Sequence, residues 1–134
     1  MLQLTNSNSI KSSLNKQEVN LLELTEDVLA QYRDLLEKKA IQTSVEGAAV
    51  VTADVVLMRR VIDNLVNNAV KYTPNGKSIS IRMSDYEYEI ENTGVSFGGQ
   101  AGIGLAIVRD ILDAHGFRIR FKDDNNRVIV RLSF

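Results

Sequence analysis

The stretch Asp63–Tyr72, which reads DNLVNNAVKY, constrains this chain more than any other. At about 100° of rotation per residue, Met58, Ile62, Leu65, Val66 and Ala69 fall on one side of a helix, while Asn64, Asn68 and Lys71 gather on nearly the opposite side. One face suits a core and the other suits something polar. Asn is a middling helix former, because its amide competes for nearby backbone groups. Asn64, Asn67 and Asn68 so close together are therefore a poor choice for a merely solvated surface, which Glu, Lys, Arg and Gln would fill. A plain polar surface remains the alternative on this stretch alone. The pattern points to a ligand held by amides, with an ammonium one turn on.

Composition sets the frame in which that helix must work. At 134 residues the chain is long enough for one ordinary core and too short for two. The hydrophobic fraction of 44% and the charged fraction of 25% are those of a globular chain, and a net charge of -1 gives no reason to expect nucleic acid or an anionic membrane as partner. With no Cys and a single His, His115, neither a disulfide framework nor an all-protein zinc site is expected. No run approaches the roughly 18 to 20 apolar residues that span a bilayer, and no signal peptide is recognisable. A soluble chain without membrane contact, monomeric in isolation, is the expectation.

Residues 1–18 mix Ser, Asn, Thr and Gln with isolated aliphatics and show no sustained period, so they read as a linker into a domain at 19–134. Asn20-Leu21-Leu22-Glu23 matches a capping box, and a helix is expected from there to about Lys39, with Leu24, Val28, Tyr32, Leu35 and Leu36 buried. Ile41–Val45 and Ala48–Thr52 suggest two short strands joined by a tight turn at Glu46-Gly47. Asp54 can cap the next helix, about Val55 to Tyr72, which Pro74-Asn75-Gly76 stops. Alternation through Ile79, Ile81 and Met83, then Tyr86, Tyr88 and Ile90, predicts a hairpin with a buried face and a solvated face carrying Glu87, Glu89 and Glu91. A helix from about Ile103 to Ala114, ended by His115-Gly116, precedes two last strands near Phe117–Lys122 and Val128–Phe134. The sum is an α+β sandwich: a mixed, mostly antiparallel sheet of five to six strands with three helices on one face.

Two further stretches carry chemistry. Gly102-Ile103-Gly104-Leu105 places glycines at a helix start, where free N–H groups and the positive dipole end favour phosphate, although glycines also start helices for packing reasons. Asn92-Thr93-Gly94 ends a strand beside a glycine, where a side chain can read the edge of a base, or simply make a turn.

In order and spacing these three stretches resemble the catalytic and ATP-binding domain of sensor histidine kinases. That domain belongs to the wider Bergerat-fold (GHKL) superfamily, with gyrase, the ninety-kilodalton heat-shock chaperones and the mismatch-repair ATPases. Asn64–Pro74 looks like that family's asparagine box, Asn92-Thr93-Gly94 like its first glycine box and Gly102–Val108 like its second. The resemblance runs from about Val19 to the end.

The resemblance implies ATP and Mg²⁺ as cofactors. Asn68 would give its amide oxygen to the Mg²⁺ that bridges the phosphates, with Asn64 lining the same pocket, Lys71 meeting the phosphates and Tyr72 packing on adenine. Asn92 stands where the family usually has an Asp that accepts from the adenine amino group; its carbonyl can do the same, so adenine selectivity is expected. Gly94 lets the turn approach the base, and Gly102, Ile103, Gly104 and Leu105 present the phosphate-binding helix start. Where ATPases of the superfamily carry a Glu that activates water, Asn64 cannot act as a general base. Transfer to another acceptor, rather than hydrolysis, is thus expected, with Asn64 and Lys71 as the catalytic residues.

The family's acceptor His lies on a separate helical dimerisation domain, and His115, between a helix and Gly116, fits a helix end instead. The implied partners are that phosphoacceptor domain and, through the longer protein, a response regulator, in the cytoplasm. Only Val95–Ala101 separates Gly94 from Gly102, where the family has a mobile lid. Seven residues cannot fold over a triphosphate, and Gly98-Gly99 looks like a joint bridging an engineered deletion, with a natural short form as the alternative, so impaired activity is expected. A binding-only module, and a superfamily ATPase or anti-sigma-type serine kinase, are the alternatives.

Overall fold

A computed structural model describes residues 10–94 and 105–134. In chain order its elements are β1 (Lys16–Asn20), α1 (Leu21–Gln31), α2 (Arg33–Lys38), β2 (Gln42–Gly47), β3 (Val50–Asp54) and α3 (Val55–Tyr72), then β4 (Ser78–Met83), β5 (Glu87–Thr93), α4 (Leu105–Ala114), β6 (Arg118–Asp124) and β7 (Arg127–Ser133). Five strands form one sheet in the order β2-β4-β5-β7-β6, antiparallel throughout except for the parallel β2–β4 pair. This is the mixed, mostly antiparallel sheet that the alternation predicts. Ile79 and Ile81, Tyr88 and Ile90, and Val128, Val130 and Leu132 are buried on one face of it, and α1, α3 and α4 supply the apolar stripes that meet them. No helix among the described residues is long and apolar enough to cross a membrane.

Several local signals act as expected. The Asn20 side chain accepts from the Glu23 N–H at 3.1 Å, and Asp54 Oδ1 accepts from the Val56 and Leu57 N–H groups at 3.0 and 3.1 Å. The Lys77 N–H donates to the Pro74 carbonyl, with Gly76 at φ 83, the position of a type II turn that wants glycine. Asn125 and Asn126, both at positive φ, join β6 to β7 in the two-residue turn that matches strand twist.

Four expectations are corrected. The helix predicted from Asn20 to Lys39 breaks at Tyr32 (φ -103, ψ 7), whose phenol donates to Asp63 Oδ1 at 2.9 Å, and Leu35 beyond the break is 43% exposed. Residues 42–47 and 50–54 are strands but do not pair with each other. β2 lies parallel to β4, and β3 pairs with β1 in a separate two-stranded ribbon, since a Cβ-free Gly47 presses against the Met83 carbonyl and sends the chain away. That ribbon draws Lys16–Glu18 into regular structure and Ile10 is 1% exposed, so the stretch expected to be linker contributes to the core from residue 10 onward. Tyr86 stands in the β4–β5 turn at 78% exposure instead of joining the buried alternation.

The acidic face also differs from a solvated one. Arg82 bonds Glu89 at 2.7 Å and Glu91 at 2.9 Å, while Arg131 bonds Glu89 at 2.7 Å and Arg127 reaches Glu91 at 3.4 Å. These cross-strand pairs leave the Glu89 and Glu91 side chains only 15% and 13% exposed. Partial burial alone would raise the Glu89 carboxyl, but hydrogen bonds from Arg131 and Arg82 outweigh it and hold it below the ordinary carboxylate range. A lowered folded-state pKa stabilises fully above the unfolded value of about 4.3 and is lost as pH falls through the folded one. Wild-type stability, followed by urea unfolding, should therefore fall more between about pH 5 and about pH 3 than that of Glu89→Gln, which lacks this ionisation.

Ala40 follows α2 at φ 55, with its N–H on the Glu37 carbonyl and the Ile41 N–H on that of Leu36. This is a Schellman ending with alanine in the left-handed position that glycine usually takes. Ala40→Gly should raise the unfolding free energy by up to ~1 kcal/mol in denaturant titration, the relief of strain exceeding the added freedom of the unfolded chain.

Candidate functional site

Helix α3 buries Met58, Val61, Ile62, Leu65, Val66, Ala69 and Val70, which leaves Asn64 and Asn68 half-buried and Asn67 and Lys71 exposed on its other side. Asn64, Asn67 and Asn68 make no side-chain hydrogen bond to any described residue. Lys71 has no carboxylate partner among the described residues; its Nζ lies 5.4 Å from the centroid of the half-buried Tyr72 ring. The expected face is therefore present, with amides and an ammonium uncommitted.

Asn92 stands on the helix-covered side of β5, in register with Ile79 and Val128, and is 6% exposed. Its side chain has no hydrogen bond within the described residues, and its amide is not wholly sealed from solvent. The neighbouring Thr93 hydroxyl behaves differently, accepting from the Ser78 N–H at 3.1 Å and so tying β5 to the start of β4. Gly94 follows at φ 80, its N–H on the Asn126 carbonyl at 2.6 Å and its bare Cα against the Lys77 side chain. Gly102, Ile103 and Gly104, like the whole Val95–Ala101 spacer, lie outside the described residues. Leu105 opens α4 with a side chain only 2% exposed, so a ligand could meet its backbone alone.

Both ends of α3 are secured by other elements. At the N-terminal end Asp54 Oδ2 accepts from the Asn15 N–H at 3.1 Å, and the Asp54 N–H donates to His115 Nε2 at 3.0 Å. His115 Nδ1 bonds the Ile111 carbonyl at 2.7 Å and must donate there, so Nε2 is the accepting nitrogen. The imidazole is thus neutral, 8% exposed and stacked on Phe117, with both nitrogens committed. The helix-end role expected for it matches this geometry, with Gly116 at φ 77 closing α4. At the C-terminal end Lys39 Nζ donates to the Val70 carbonyl at 2.6 Å and that of Lys71 at 3.3 Å. Nothing local in the sequence singles out Lys39. The same holds for Thr73, 0% exposed, whose hydroxyl has no partner among the described residues.

The electrostatics suit an anion. Asp63, the acidic group nearest the asparagines in sequence, is held by Tyr32, whose phenol is pushed up to about 12 by burial and then by that hydrogen bond. The described residues contain no group of three or more His, Asp or Glu able to hold a metal by themselves. A half-buried, uncommitted amide oxygen such as that of Asn68 instead fits a hard cation that keeps water and takes phosphate oxygens as further ligands.

Residues 53–134 match the sequence profile of the histidine kinase-, DNA gyrase B- and HSP90-like ATPases. The sensor protein IrlS of Burkholderia pseudomallei is 27% identical over 142 residues, covering 87% of this chain but 31% of that protein. The sensor protein CopS of Pseudomonas syringae pv. tomato is 35% identical over 81 residues, 58% of this chain and 17% of its own. The catalytic domain of histidine kinase ThkA, nucleotide free, superposes with a TM-score of 0.78 at 25% identity, covering 88% of this chain and 94% of that one. The chain thus spans less than a third of these sensor proteins. The IrlS match is also longer than the 134 residues available here, so that relative carries residues inside the matched region that this chain lacks.

Gly94→Ala should cost ~1–2 kcal/mol in denaturant unfolding, because φ 80 is left-handed for any residue with a Cβ; Lys77, met only along its flexible stem, can move aside.

Proposed function

Because the chain belongs to the histidine kinase-, DNA gyrase B- and HSP90-like ATPase family, we propose that it is the ATP-binding catalytic domain of a sensor histidine kinase. The observation that carries the reading is α3 itself: amides without a side-chain hydrogen bond among the described residues, beside an ammonium, on a helix secured at both ends. Asn92 would accept from the adenine amino group and Tyr72 would cover the ring. Lys71 would neutralise the phosphates, and Asn68 would hold Mg²⁺ together with the phosphate oxygens. Mg²⁺, when bound, supplies charge neutralisation between the phosphates. Gly102, Ile103, Gly104 and the Leu105 backbone would present N–H groups to the same phosphates.

In the transfer, an imidazole nitrogen of the acceptor forms a bond to the γ-phosphorus as the bond to the bridging oxygen breaks and ADP leaves. His115 cannot be that acceptor, since both its nitrogens are engaged inside the fold. The acceptor would then belong to a separate dimerisation domain, from which the residues before Ile10 would lead. A response regulator would take the phosphoryl group onward; one structure similar in fold is histidine kinase ThkA in complex with the response regulator protein TrrA. The place of action would be the cytoplasm. Asn64 favours this reading over an ATPase, because an amide cannot take a proton from water.

A second reading, a module that binds nucleotide without transferring phosphate, is favoured by the seven residues between Gly94 and Gly102. Incubation with ATP, Mg²⁺ and the His-bearing helical domain of the longer protein separates the two: acid-labile phosphate on that domain supports transfer, and its absence with ATP still bound leaves the module. Calorimetric titration tests the site. Mg²⁺ should tighten ATP binding to the wild type, and Asn68→Ala should reduce that gain about tenfold. Full retention of the Mg²⁺ effect would remove Asn68 from the role.

A further inference from the structure

We infer that Lys39 is a positioning residue for the nucleotide site, gripping the last turn of α3 and so setting where Lys71 and Tyr72 stand. This rests on the nucleotide reading above and goes beyond it, because Lys39 touches no ligand in that reading and lies on a different element.

The last carbonyls of a helix have no partner within it, and a cation there also meets the negative end of the dipole. In α3 that cation comes from 31 residues upstream, with Nζ 2.6 Å from the Val70 carbonyl and 3.3 Å from that of Lys71. The backbone of Lys39 takes part as well, its carbonyl accepting from the Gly76 N–H at 2.9 Å. One residue thus holds the final turn of α3 with its side chain and the turn beyond Pro74 with its main chain. Everything from Val70 to Gly76, Lys71 and Tyr72 included, is bracketed between those contacts.

The aim of Lys39 is itself built. It ends α2 in the Schellman geometry that needs a left-handed residue next, and Ala40 adopts φ 55 there without being glycine. The buried pair Leu36 and Ile41 locks that ending. Two more ties join the α1–α2 unit to the same side of α3: Tyr32 to Asp63 at 2.9 Å, and Asp27 to Arg59 at 3.4 Å. At about 100° per residue, positions 59, 63 and 70 share one face. The Arg59–Asp27 pair is exposed and a full helix away from Lys71, so it should hold little. Lys39 is the tie at the functional end.

A purely stabilising cap would loosen nothing in particular, whereas a positioning contact acts on one turn and on the ligand. Lys39→Met keeps the stem and removes the donor; Lys39→Arg restores a cation; Arg59→Met cuts the remote tie. Two readouts are taken at a temperature where circular dichroism shows all four proteins folded. One is amide exchange of Val70 to Thr73 without ligand, and the other is Mg·ADP affinity by calorimetry. Lys39→Met should speed exchange in that turn and weaken Mg·ADP about tenfold, with Lys39→Arg recovering most of both and Arg59→Met matching the wild type. Unchanged exchange in Lys39→Met, faster exchange with unchanged affinity, or an equal loss in Arg59→Met would each overturn the inference. A wild-type chain that binds no Mg·ADP would instead refute the nucleotide reading, and this coupling with it, before any variant is made.

Discussion

A helix cannot close its own ends: four amide donors and four carbonyl acceptors are left over at its two termini. In α3 that constraint organises the molecule, because the residues with chemistry to offer lie along its exposed side and at the end where carbonyls need donors. The N-terminal deficit is met by Asp54, whose carboxylate takes two α3 amides and the Asn15 N–H, and whose own N–H is taken by His115 from the end of α4. The C-terminal deficit is met partly by Lys39. Three other segments of the chain therefore converge on one helix, and their positions relative to each other follow from it. His115, the only imidazole of the chain, is consumed in that work, which is why its chemistry is closed to phosphate.

What the sequence made legible was whatever is decided within a few residues. The caps at Asn20 and Asp54, the span of α3, the stop at Gly76 and the end of α4 at Gly116 all follow from local bonding, and all appear where the residues put them. Failures occurred where a partner lies far along the chain. The Glu46-Gly47 turn suits a hairpin, yet β2 finds β4, more than thirty residues on, and β3 finds β1. The helix through Tyr32 has no Gly or Pro breaker in its own sequence, and the break coincides with a residue tied to distant Asp63. Glu89 and Glu91 alternate as a wet face should, but Arg82, Arg127 and Arg131 come from two other strands to cover them. The candidate site divides in the same way. Asn64, Asn68 and Lys71 were visible as a helical face, whereas Lys39 and Thr73 have no periodicity to give them away.

The distribution of carboxylates bears on the kind of reaction. A polyanion needs a face where acids are absent or neutralised, and Asp63, the acid beside the asparagines in sequence, is engaged by Tyr32, while Glu89 and Glu91 point to the other face of β5 and are held by arginines. The polar side of α3 carries amides, which accept and donate without charge, together with the Lys71 ammonium and the exposed Arg60 guanidinium. Amides can ligate a hard cation and orient phosphates but cannot remove a proton from water. Under the proposed nucleotide reading, a site of that composition would present a phosphoryl group rather than hydrolyse it, and the nucleophile would come from elsewhere.

Binding and stability compete for the same groups in this fold. Asn92 sits in a row between Ile79 and Val128, where an aliphatic side chain would bury more apolar surface than an amide does. Ala40 in a left-handed position and the Thr73 hydroxyl, which has no partner among the described residues, each cost stability at the two ends of the Lys39 contact. A chain shaped for stability alone would replace all three. Two of them, Thr73 and Asn92, are polar groups at the end of α3 and the tip of β5, and under the proposed nucleotide reading the ligand would pair with Asn92.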